Sequence, residues 1–339
     1  MTRVKASVIV PTHNRQIKLV ETLGCLRRQR LEATEYEIIV VDDGSSPPVV
    51  LGESQEGPLI RLERTESVER SAARNYGASI ARGELLIFID DDISVEHDFV
   101  DAHLRAHAEW PGALVVGSMN LPEEAMVKPF ARFRQRLERQ GLPHRRGPTQ
   151  SRNFCTAANM SISRDLLQDL GGFDGSIASG EDQDLALRHT GRGGQIVFLQ
   201  DATAIHRDEA LDVQSYCRRA EWGSLHMLAF CQRYPDLPDN VERARVNGPA
   251  MPGQEPLRQS LRKRIKLVLT LKPLIGAMFG VAWVLERIGP NSRVLDRVYR
   301  LLLGAHILRG YRKGLRDSVT SRAGSESVST GSKYTRAES

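Results

Sequence analysis

A short apolar run leads directly into a cluster of carboxylates. The run Leu85–Ile89 has the composition of a buried β-strand, and Asp90, Asp91 and Asp92 follow it without a break. Adjacent carboxylates repel one another and lose hydration on burial, so this strand end needs a cation or strong hydrogen bonds. We interpret it as a divalent metal site. The alternative is that the last aspartate and Ser94 cap a following helix.

Similar apolar runs recur through the first half of the chain. Residues 6–10 and 37–41 form two further runs, and a stretch of helical period covers residues 17–28 between them. Short, nearly continuous apolar runs are typical of buried parallel strands, and apolar residues at three- and four-residue spacing are typical of crossover helices. The pattern predicts an α/β fold, with a parallel sheet and crossover helices.

The second half is less regular and ends in a helical extension. We expect strands at 114–116 and 195–199, and a helix near 130–139. A long amphipathic helix covers 211–234 and stops at Pro235. The sequence predicts, in chain order, a first domain at 1–235, a linker at 236–260, a basic amphipathic helical region at 261–316 and a disordered tail at 317–339.

The formal net charge of +5 conceals a strong asymmetry. Residues 258–316 hold fourteen Lys or Arg against Glu286 and Asp296, a local net charge of +12 that leaves −7 for the rest. Such a block favours an anionic partner surface, and no nucleic-acid-reading module accompanies it, so we expect anionic lipid and no nucleic acid.

The apolar part of this block is short for a membrane span. Residues 267–285 are apolar but interrupted at Lys272-Pro273. We therefore predict an amphipathic hairpin that turns at 289–292 and lies on lipid. Packing on the first domain or against a homodimer partner is the alternative.

Cysteine usage and the N-terminus bear on location. The four cysteines show neither CxxC pairing nor the density of a disulfide framework, and no charged-then-apolar signal segment opens the chain. We expect a cytoplasmic protein that can lie peripherally at the inner face of the cytoplasmic membrane.

Four segments together resemble the inverting nucleotide-sugar glycosyltransferases of family 2, which have the GT-A fold. They are Ser7-Val8-Ile9-Val10-Pro11-Thr12-His13-Asn14-Arg15, Val40-Val41-Asp42-Asp43-Gly44-Ser45, Ala73-Arg74-Asn75-Tyr76-Gly77 leading into Phe88-Ile89-Asp90-Asp91-Asp92, and Gly171-Gly172-Phe173-Asp174 leading into Gly180-Glu181-Asp182. Their order and spacing over residues 6–206 make the resemblance specific. It implies a Rossmann-like mixed, mostly parallel sheet flanked by helices, with a nucleotide-sugar half at about 1–110 and an acceptor half at about 111–235.

The resemblance places the donor nucleotide beyond the first two strands. Pro11, Thr12 and Asn14 then shape the base pocket, and Asp43 accepts from the base or ribose. The residues agree, because ligands of open α/β sheets lie beyond the carboxyl ends of strands. A plain Asp-Gly turn is the alternative at Asp43.

The same resemblance implies a metal and a cation for the donor diphosphate. Asp92, Asp90 and His206 are the expected ligands of Mn²⁺ or Mg²⁺, with Asp90 and Asp91 also in the nucleotide-binding set. Strand alternation turns the middle aspartate to the opposite face. Arg74 would neutralise phosphate. The alternatives are a surface salt bridge for this arginine and a hydrogen-bonded surface position for the histidine.

The catalytic base is assigned in the same way. Asp182 is the implied base, and Glu181 holds the acceptor or orients the loop. Their alternative role is to complement the dipole of a helix N-terminus. The expected activity is metal-dependent, inverting transfer of a sugar, with UDP as the expected nucleotide, to an acceptor hydroxyl of a glycan, lipid-linked or small-molecule acceptor.

Two rival functions and one variant of the activity are considered. A catalytically silent, membrane-tethered sugar-nucleotide-binding protein would bind without turnover. A sugar nucleotidyltransferase would carry a Gly-rich, basic loop after the first strand, which Pro11-Thr12-His13-Asn14-Arg15 is not. The Gln-x-x-Arg-Trp motif of processive synthases is also missing at Gln214-Ser215-Tyr216-Cys217-Arg218, so we expect non-processive transfer.

Overall fold

The chain divides into two compact units in a computed structural model. Unit 1 covers residues 1–209 and unit 2 covers residues 210–339. The structure describes residues 3–52, 57–66, 69–208 and 211–331, with side chains described as far as residue 318.

Unit 1 is built from strands and helices that alternate along much of the chain. Its strands are β1 (Ala6–Thr12), β2 (Tyr36–Asp43), β3 (Leu59–Thr65), β4 (Leu85–Ile89), β5 (Ile93–Val95), β6 (Leu114–Asn120), β7 (Gly147–Thr149), β8 (Asn159–Ser163) and β9 (Ile196–His206). Its helices are α1 (Gln16–Leu26), α2 (Arg70–Ile80), α3 (Phe99–Glu109), α4 (Pro129–Arg139), α5 (Arg164–Leu170) and α6 (Glu181–Gly191), with a short 3-10 helix at Glu123–Val127.

The described strands form one mixed sheet. Its order is β3-β2-β1-β4-β8-β6-β9-β5, and β7 pairs with β9. The six strands β1, β2, β3, β4, β6 and β9 run in one direction, whereas β5, β7 and β8 run in the other. The predicted mixed, mostly parallel sheet is therefore confirmed.

Helices cover both faces of this sheet, which explains why its central strands are apolar on both sides. Residues of α1 and α3 pack with Val8, Ile38 and Ile87 on one face. Residues of α2, α5 and α6 pack with Ile9 and Phe88 on the other. Because parallel strands covered on both faces bury every side chain, their runs read as continuous rather than alternating.

Unit 2 is helical in its described part. Its helices are α7 (Val213–Arg233), α8 (Pro238–Asn247), α9 (Leu257–Val268), α10 (Lys272–Ile288) and α11 (Arg293–Gly331). Helix α11 packs along α7, with Leu295, Tyr299 and Leu302 buried, and also contacts α10. The predicted turn at 289–292 lies between α10 and α11. Among the described helices none is by itself long and apolar enough to cross a bilayer, and α9 and α10 meet that requirement only as a pair bent by 82°.

The domain boundaries differ from those predicted. The long helix at 213–233 is grouped with unit 2, not with the first domain, because it packs on α11. The predicted linker at 236–260 contains α8 and the start of α9. Residues 317–331, predicted to be disordered, continue α11, since extending an existing helix adds one hydrogen bond per residue without a new nucleus. Residues 332–339 lie outside the described residues.

Candidate active site

Three strand ends place the predicted residues along one edge of the sheet. Strands β1 and β2 are parallel with Thr12 opposite Asp42, and β4 runs parallel to β1 on its other side. The segment that follows β4 begins with Asp90, so its carboxylates lie near the end of β1. At the far end of β9, His206 pairs with Ile93, immediately after the aspartates.

The turn after β2 is organised by Asp42, and Asp43 follows it. Asp42 accepts from the backbone N–H groups of Ser45 (2.9 Å) and Val49 (3.1 Å) and from Arg64 Nη1 (2.6 Å). Burial opposes its ionisation, but these hydrogen bonds and the Arg64 charge hold the pKa of Asp42 below its usual range. Asp43 Oδ1 accepts a hydrogen bond from Thr65 Oγ1 at 3.3 Å. Asp42 is therefore structural, and Asp43 remains the candidate for the nucleotide.

The loop after β1 meets this turn through polar contacts. Pro11 is paired in β1, and Asn14 adopts a left-handed conformation with φ 55°. The Asn14 backbone N–H donates to Ser45 Oγ (2.8 Å), and its side-chain oxygen accepts from the N–H of Ser46 (2.8 Å). His13 Nδ1 lies 2.6 Å from the carbonyl oxygen of Asp43. Both predicted base-pocket segments are thus joined in one surface.

Asp91 faces the interior. Thr12 Oγ1 donates to Asp91 Oδ2 at 2.7 Å, Arg15 Nη1 lies 3.3 Å from its other oxygen, and Thr22 Oγ1 donates to its carbonyl oxygen at 2.8 Å. Burial raises the pKa of this carboxyl, and the hydrogen bond from Thr12 opposes that effect. Since both oxygens are engaged by the protein, Asp91 supports the loop and is a poor candidate for direct contact with a ligand.

Asp92 has one engaged oxygen and one orphaned oxygen. Arg15 Nη1 donates to Oδ2 at 2.9 Å. Oδ1 is buried and accepts no hydrogen bond within the described part of the chain, although His206 Nε2 lies 3.3 Å away. Burial opposes ionisation, but contact with His206 and the charge of Arg15 hold the pKa of Asp92 below its usual value. A buried anionic oxygen without a donor is a candidate cation ligand.

Arg74 joins the aspartate cluster to the predicted catalytic pair. It is 2% exposed, and its Nη2 donates to Asp90 Oδ1 (3.0 Å) while Nη1 donates to Glu181 Oε1 (2.9 Å). The guanidinium also lies 5.5 Å from the centre of the Phe173 ring. Burial opposes the ionisation of Asp90, but the positive charge of Arg74 holds its pKa below the usual value. The pair of Arg74 with Glu181 is buried, so the predicted alternative of a surface salt bridge does not describe it.

Asp182 lies in the first turn of α6, next to Glu181. Gly180 precedes the helix at φ 94°, a conformation that favours glycine, and the backbone N–H of Gln183 donates to Asp182 Oδ1 at 2.8 Å. Burial and the neighbouring Glu181 carboxylate raise the pKa of Asp182 to about 7, against the opposing charge of Arg74. A carboxyl that titrates near neutrality is suited to accept a proton.

The loop that leads to this pair is anchored at its N-terminal end. Asn75 forms two 2.8 Å hydrogen bonds with the backbone of Phe173, one donated and one accepted. Arg188 donates to the carbonyl oxygens of Leu170 (2.5 Å) and Gly172 (2.8 Å). These contacts fix the start of the segment between α5 and α6, and Arg188 of α6 thereby ties this start to the helix that carries Glu181 and Asp182.

The structure assembles most of the predicted site but no complete metal cage. Within the described ranges, no three His, Cys, Asp or Glu side chains are arranged to hold a metal ion. Asp92 and His206 are brought together, whereas Asp90 is turned toward Arg74. Arg15, which contacts two of the three aspartates, was not among the predicted site residues. Its signal in the sequence was a cation directly after a strand that neighbours the acidic strand end.

Several known proteins are similar to this chain in sequence. The profile of the family described as Glycosyl transferase family 2 matches residues 7–171. The Bacillus subtilis (strain 168) protein named Uncharacterized glycosyltransferase YfnE is 25% identical over 300 residues, which are 74% of this chain and 75% of that protein. The pre-mycofactocin glycosyltransferase of Mycobacterium tuberculosis is 25% identical over 312 residues, which are 90% of this chain but 58% of the relative's length.

A solved structure shows that the fold is shared as well. The mannosyltransferase PcManGT from Pyrobaculum calidifontis, solved in complex with GDP-Man and Mn²⁺, superposes with a TM-score of 0.57 at 18% sequence identity. The match covers 92% of this chain and 89% of PcManGT. At this identity the likeness concerns the fold.

Proposed function

We propose that this chain, whose residues 7–171 match the profile of glycosyl transferase family 2, is a glycosyltransferase that moves a sugar from a nucleotide-sugar donor to an acceptor hydroxyl with inversion. The observation that carries the proposal is the Arg74 bridge between Asp90 and Glu181. It links the proposed donor-side carboxylates to the proposed acceptor-side carboxylates within one cluster, so the two substrates of a displacement could meet there.

The donor nucleotide is proposed to bind at the carboxyl edge of β1 and β2. Asp43 can accept from a base N3–H or a ribose hydroxyl, with Pro11, Thr12 and Asn14 forming the adjoining wall. We propose UDP as the nucleotide because uracil presents such an N–H to a carboxylate. Arg15 and Arg74 supply the positive charge that a departing diphosphate needs.

The residues present fit a divalent cation. Asp92 Oδ1 is a buried anionic oxygen without a hydrogen-bond donor in the described structure, and His206 Nε2 is its nearest neighbour. Oxygen from Asp92 and Asp90 with one imidazole nitrogen is a donor set that suits Mn²⁺ or Mg²⁺. Bound there, the cation would stabilise negative charge on the leaving diphosphate. Arg15 and Arg74 would then give up carboxylate oxygens that they now occupy.

The proposed chemistry is a single displacement. The acceptor oxygen forms a bond to the anomeric carbon, the bond from that carbon to the diphosphate oxygen breaks, and the acceptor proton passes to an oxygen of Asp182. The pKa of Asp182, about 7, lets this carboxylate be ionised at neutral pH and still hold a proton. Glu181 and Arg74 position it.

Donor binding can be tested without knowing the acceptor. Thermal unfolding is measured with a panel of UDP-, GDP- and dTDP-sugars, each with and without Mn²⁺. Ligands that bind only the folded state raise the melting temperature by mass action, so a UDP-sugar with Mn²⁺ should give the largest shift. In the Asp92→Asn variant the shift in melting temperature should no longer depend on Mn²⁺. In Asp43→Asn the shift should be smaller both with and without Mn²⁺.

A control and a rival outcome complete this experiment. Asp165→Asn removes an exposed carboxylate from the first turn of α5 and should leave the shifts unchanged. Slow release of UDP from the donor in the absence of acceptor, by transfer to water, distinguishes an enzyme from a silent binding protein. A shift that is equally large in Asp92→Asn would contradict the assignment of the cation.

A further inference from the structure

Helix α9 turns an apolar stripe outward. Leu257, Leu261, Ile265 and Val268 follow one another at intervals of four, four and three residues, which places them on one face of the helix. They are between 52% and 85% exposed. A helix in a globular protein normally packs such a stripe into a core, so this surface is available to something else.

Helix α10 repeats the arrangement. Leu274, Val281, Val284 and Ile288 share one face and are exposed, whereas the core-facing Ile275 and Ala282 are buried. The exposed Trp283 lies beside this face and stacks on the guanidinium of Arg287, 3.5 Å from the ring centre. An amphipathic ring paired with a cation is typical of side chains at a membrane–water interface.

The charge of this surface is one-sided. Residues 257–288 contain seven Lys or Arg and only one acidic residue, Glu286. Lys263 is neutralised by Glu255 at 2.6 Å, but Arg258, Arg262 and Arg264 are exposed and form no ion pair within the described residues. Cations that flank an exposed apolar stripe complement anionic headgroups above acyl chains.

A small cavity lies on the same helix. It has a volume of about 220 Å³ and includes Arg264, Leu267 and Arg312 in its lining. Its two arginines have no hydrogen-bond partner among the residues that the structure describes. A phosphate group entering it would meet two guanidinium groups beside an apolar wall.

We propose that α9 and α10 dock on the surface of an anionic phospholipid bilayer. The apolar stripes of the two helices enter the boundary between headgroups and acyl chains, and the arginines of α9 contact lipid phosphates. A second copy of the chain is the less suitable occupant, because a symmetric contact would bring the same positive patch face to face with itself.

Flotation of the full-length protein with vesicles tests this proposal. We expect binding to phosphatidylcholine vesicles that contain phosphatidylglycerol, and little binding to phosphatidylcholine alone. The double variant Leu261→Asp/Ile265→Asp should bind these vesicles at least about tenfold more weakly than the wild type, because it puts charge where apolar side chains enter the bilayer. Its melting temperature should stay unchanged, since both side chains are exposed.

A matched control and a second readout guard against nonspecific effects. Val20→Asp alters an equally exposed position on α1 of unit 1 and should leave binding intact. Tryptophan fluorescence should shift to the blue when anionic vesicles are added, and Trp283→Phe should remove most of that shift.

Three results would overturn the proposal. The first is no flotation with anionic vesicles at low salt. The second is equal flotation of wild type and Leu261→Asp/Ile265→Asp. The third is a dimer in light scattering that this double variant converts to a monomer, which would show that a second copy covers the stripes.

Discussion

Asp182 is placed where a carboxylate is costly to ionise. Burial and the adjacent Glu181 both oppose its negative charge, and Arg74, already shared between Asp90 and Glu181, compensates only in part. The resulting pKa of about 7 is what a general base at neutral pH requires. The same surroundings make Asp182 expensive for the fold and useful for proton transfer.

Asp182→Asn should abolish most of the turnover while leaving donor binding intact. Loss of a positioned base typically costs ~10²–10⁴ in rate. Steady-state kinetics of sugar transfer should therefore show a fall in kcat with little change in the KM for the donor. In the wild type, kcat should rise with pH as Asp182 loses its proton, with a midpoint at or below the value of about 7 in the ligand-free protein because bound donor lowers its proton affinity, and the residual rate of the variant should lack this limb.

The comparison for this variant is Asp165→Asn. Both residues lie in the first turn of a helix, so a change confined to Asp182→Asn excludes a general effect of helix dipoles. Near-normal turnover in Asp182→Asn would remove this residue from the role of base.

At the level of single residues, what could be predicted depended on the kind of signal. Asp92 stands out in the sequence because it belongs to a cluster of carboxylates directly behind an apolar run, whereas His206 and Asp182 were predicted from the family resemblance. The partners of Arg74 could not be predicted from the sequence, because long-range packing decides which carboxylates a buried arginine contacts. Arg15 escaped for the same reason, because an arginine in a loop is most often solvated.

Among the elements, α2 shows how closely the sheet and its helices approach. A methyl group added at Gly77 would lie 2.7 Å from Ile9 Cγ2 on β1 and 3.2 Å from Val41 Cγ2 on β2. The helix therefore rests directly on the two strands whose ends form the proposed nucleotide pocket. Arg74 and Asn75, one turn earlier, depend on this spacing for their reach.

Gly77→Ala should destabilise the protein, whereas Gly24→Ala should not. Overpacking a well-filled interface typically costs ~1–3 kcal/mol. At Gly24 on α1 the nearest atom to an added methyl is 3.7 Å away, so alanine should instead stabilise by about 0.5–1 kcal/mol through its helix propensity. Urea unfolding of both variants measures the difference. Equal effects of the two substitutions would show that α2 can move away from the sheet.

Elements buried on both faces were predictable, and elements stabilised by polar contacts were not. Strands β1, β2 and β4 read as apolar runs and lie where expected. Strand β8 was missed because Asn159 and Ser161 interrupt its apolar pattern, and buried contacts with His103 compensate for both residues. Strand β3 was missed because it is the outer strand and half of its side chains face solvent.

For the molecule as a whole, the ionisation of Asp182 should appear in the stability. Its pKa is about 7 in the folded state and 3.8 in the reference state. The folded protein therefore binds the extra proton between these values, and the unfolding free energy falls as pH rises through this window. Above pH 7 the fold carries the full cost of a buried carboxylate.

Asp182→Asn should accordingly be more stable than the wild type at alkaline pH. Asparagine resembles the protonated carboxyl, so the difference in melting temperature should be small near pH 4 and grow toward pH 8. Thermal unfolding of both proteins across this range measures it, and Asp165→Asn provides the baseline for loss of a charge. A difference that is constant with pH would mean that Asp182 does not titrate in this window.

The two hydrogen bonds of Arg74, to Asp90 and to Glu181, bear on the order in which the substrates act. A donor and its cation that engaged Asp90 would neutralise this carboxylate. The positive charge of Arg74 would then be shared only with Glu181 and the neighbouring Asp182. The proton affinity of Asp182 then falls, and the carboxylate is ready before the acceptor arrives. Productive turnover is therefore expected to begin with the nucleotide sugar and to continue with the acceptor, which initial rates measured with both substrates varied would show.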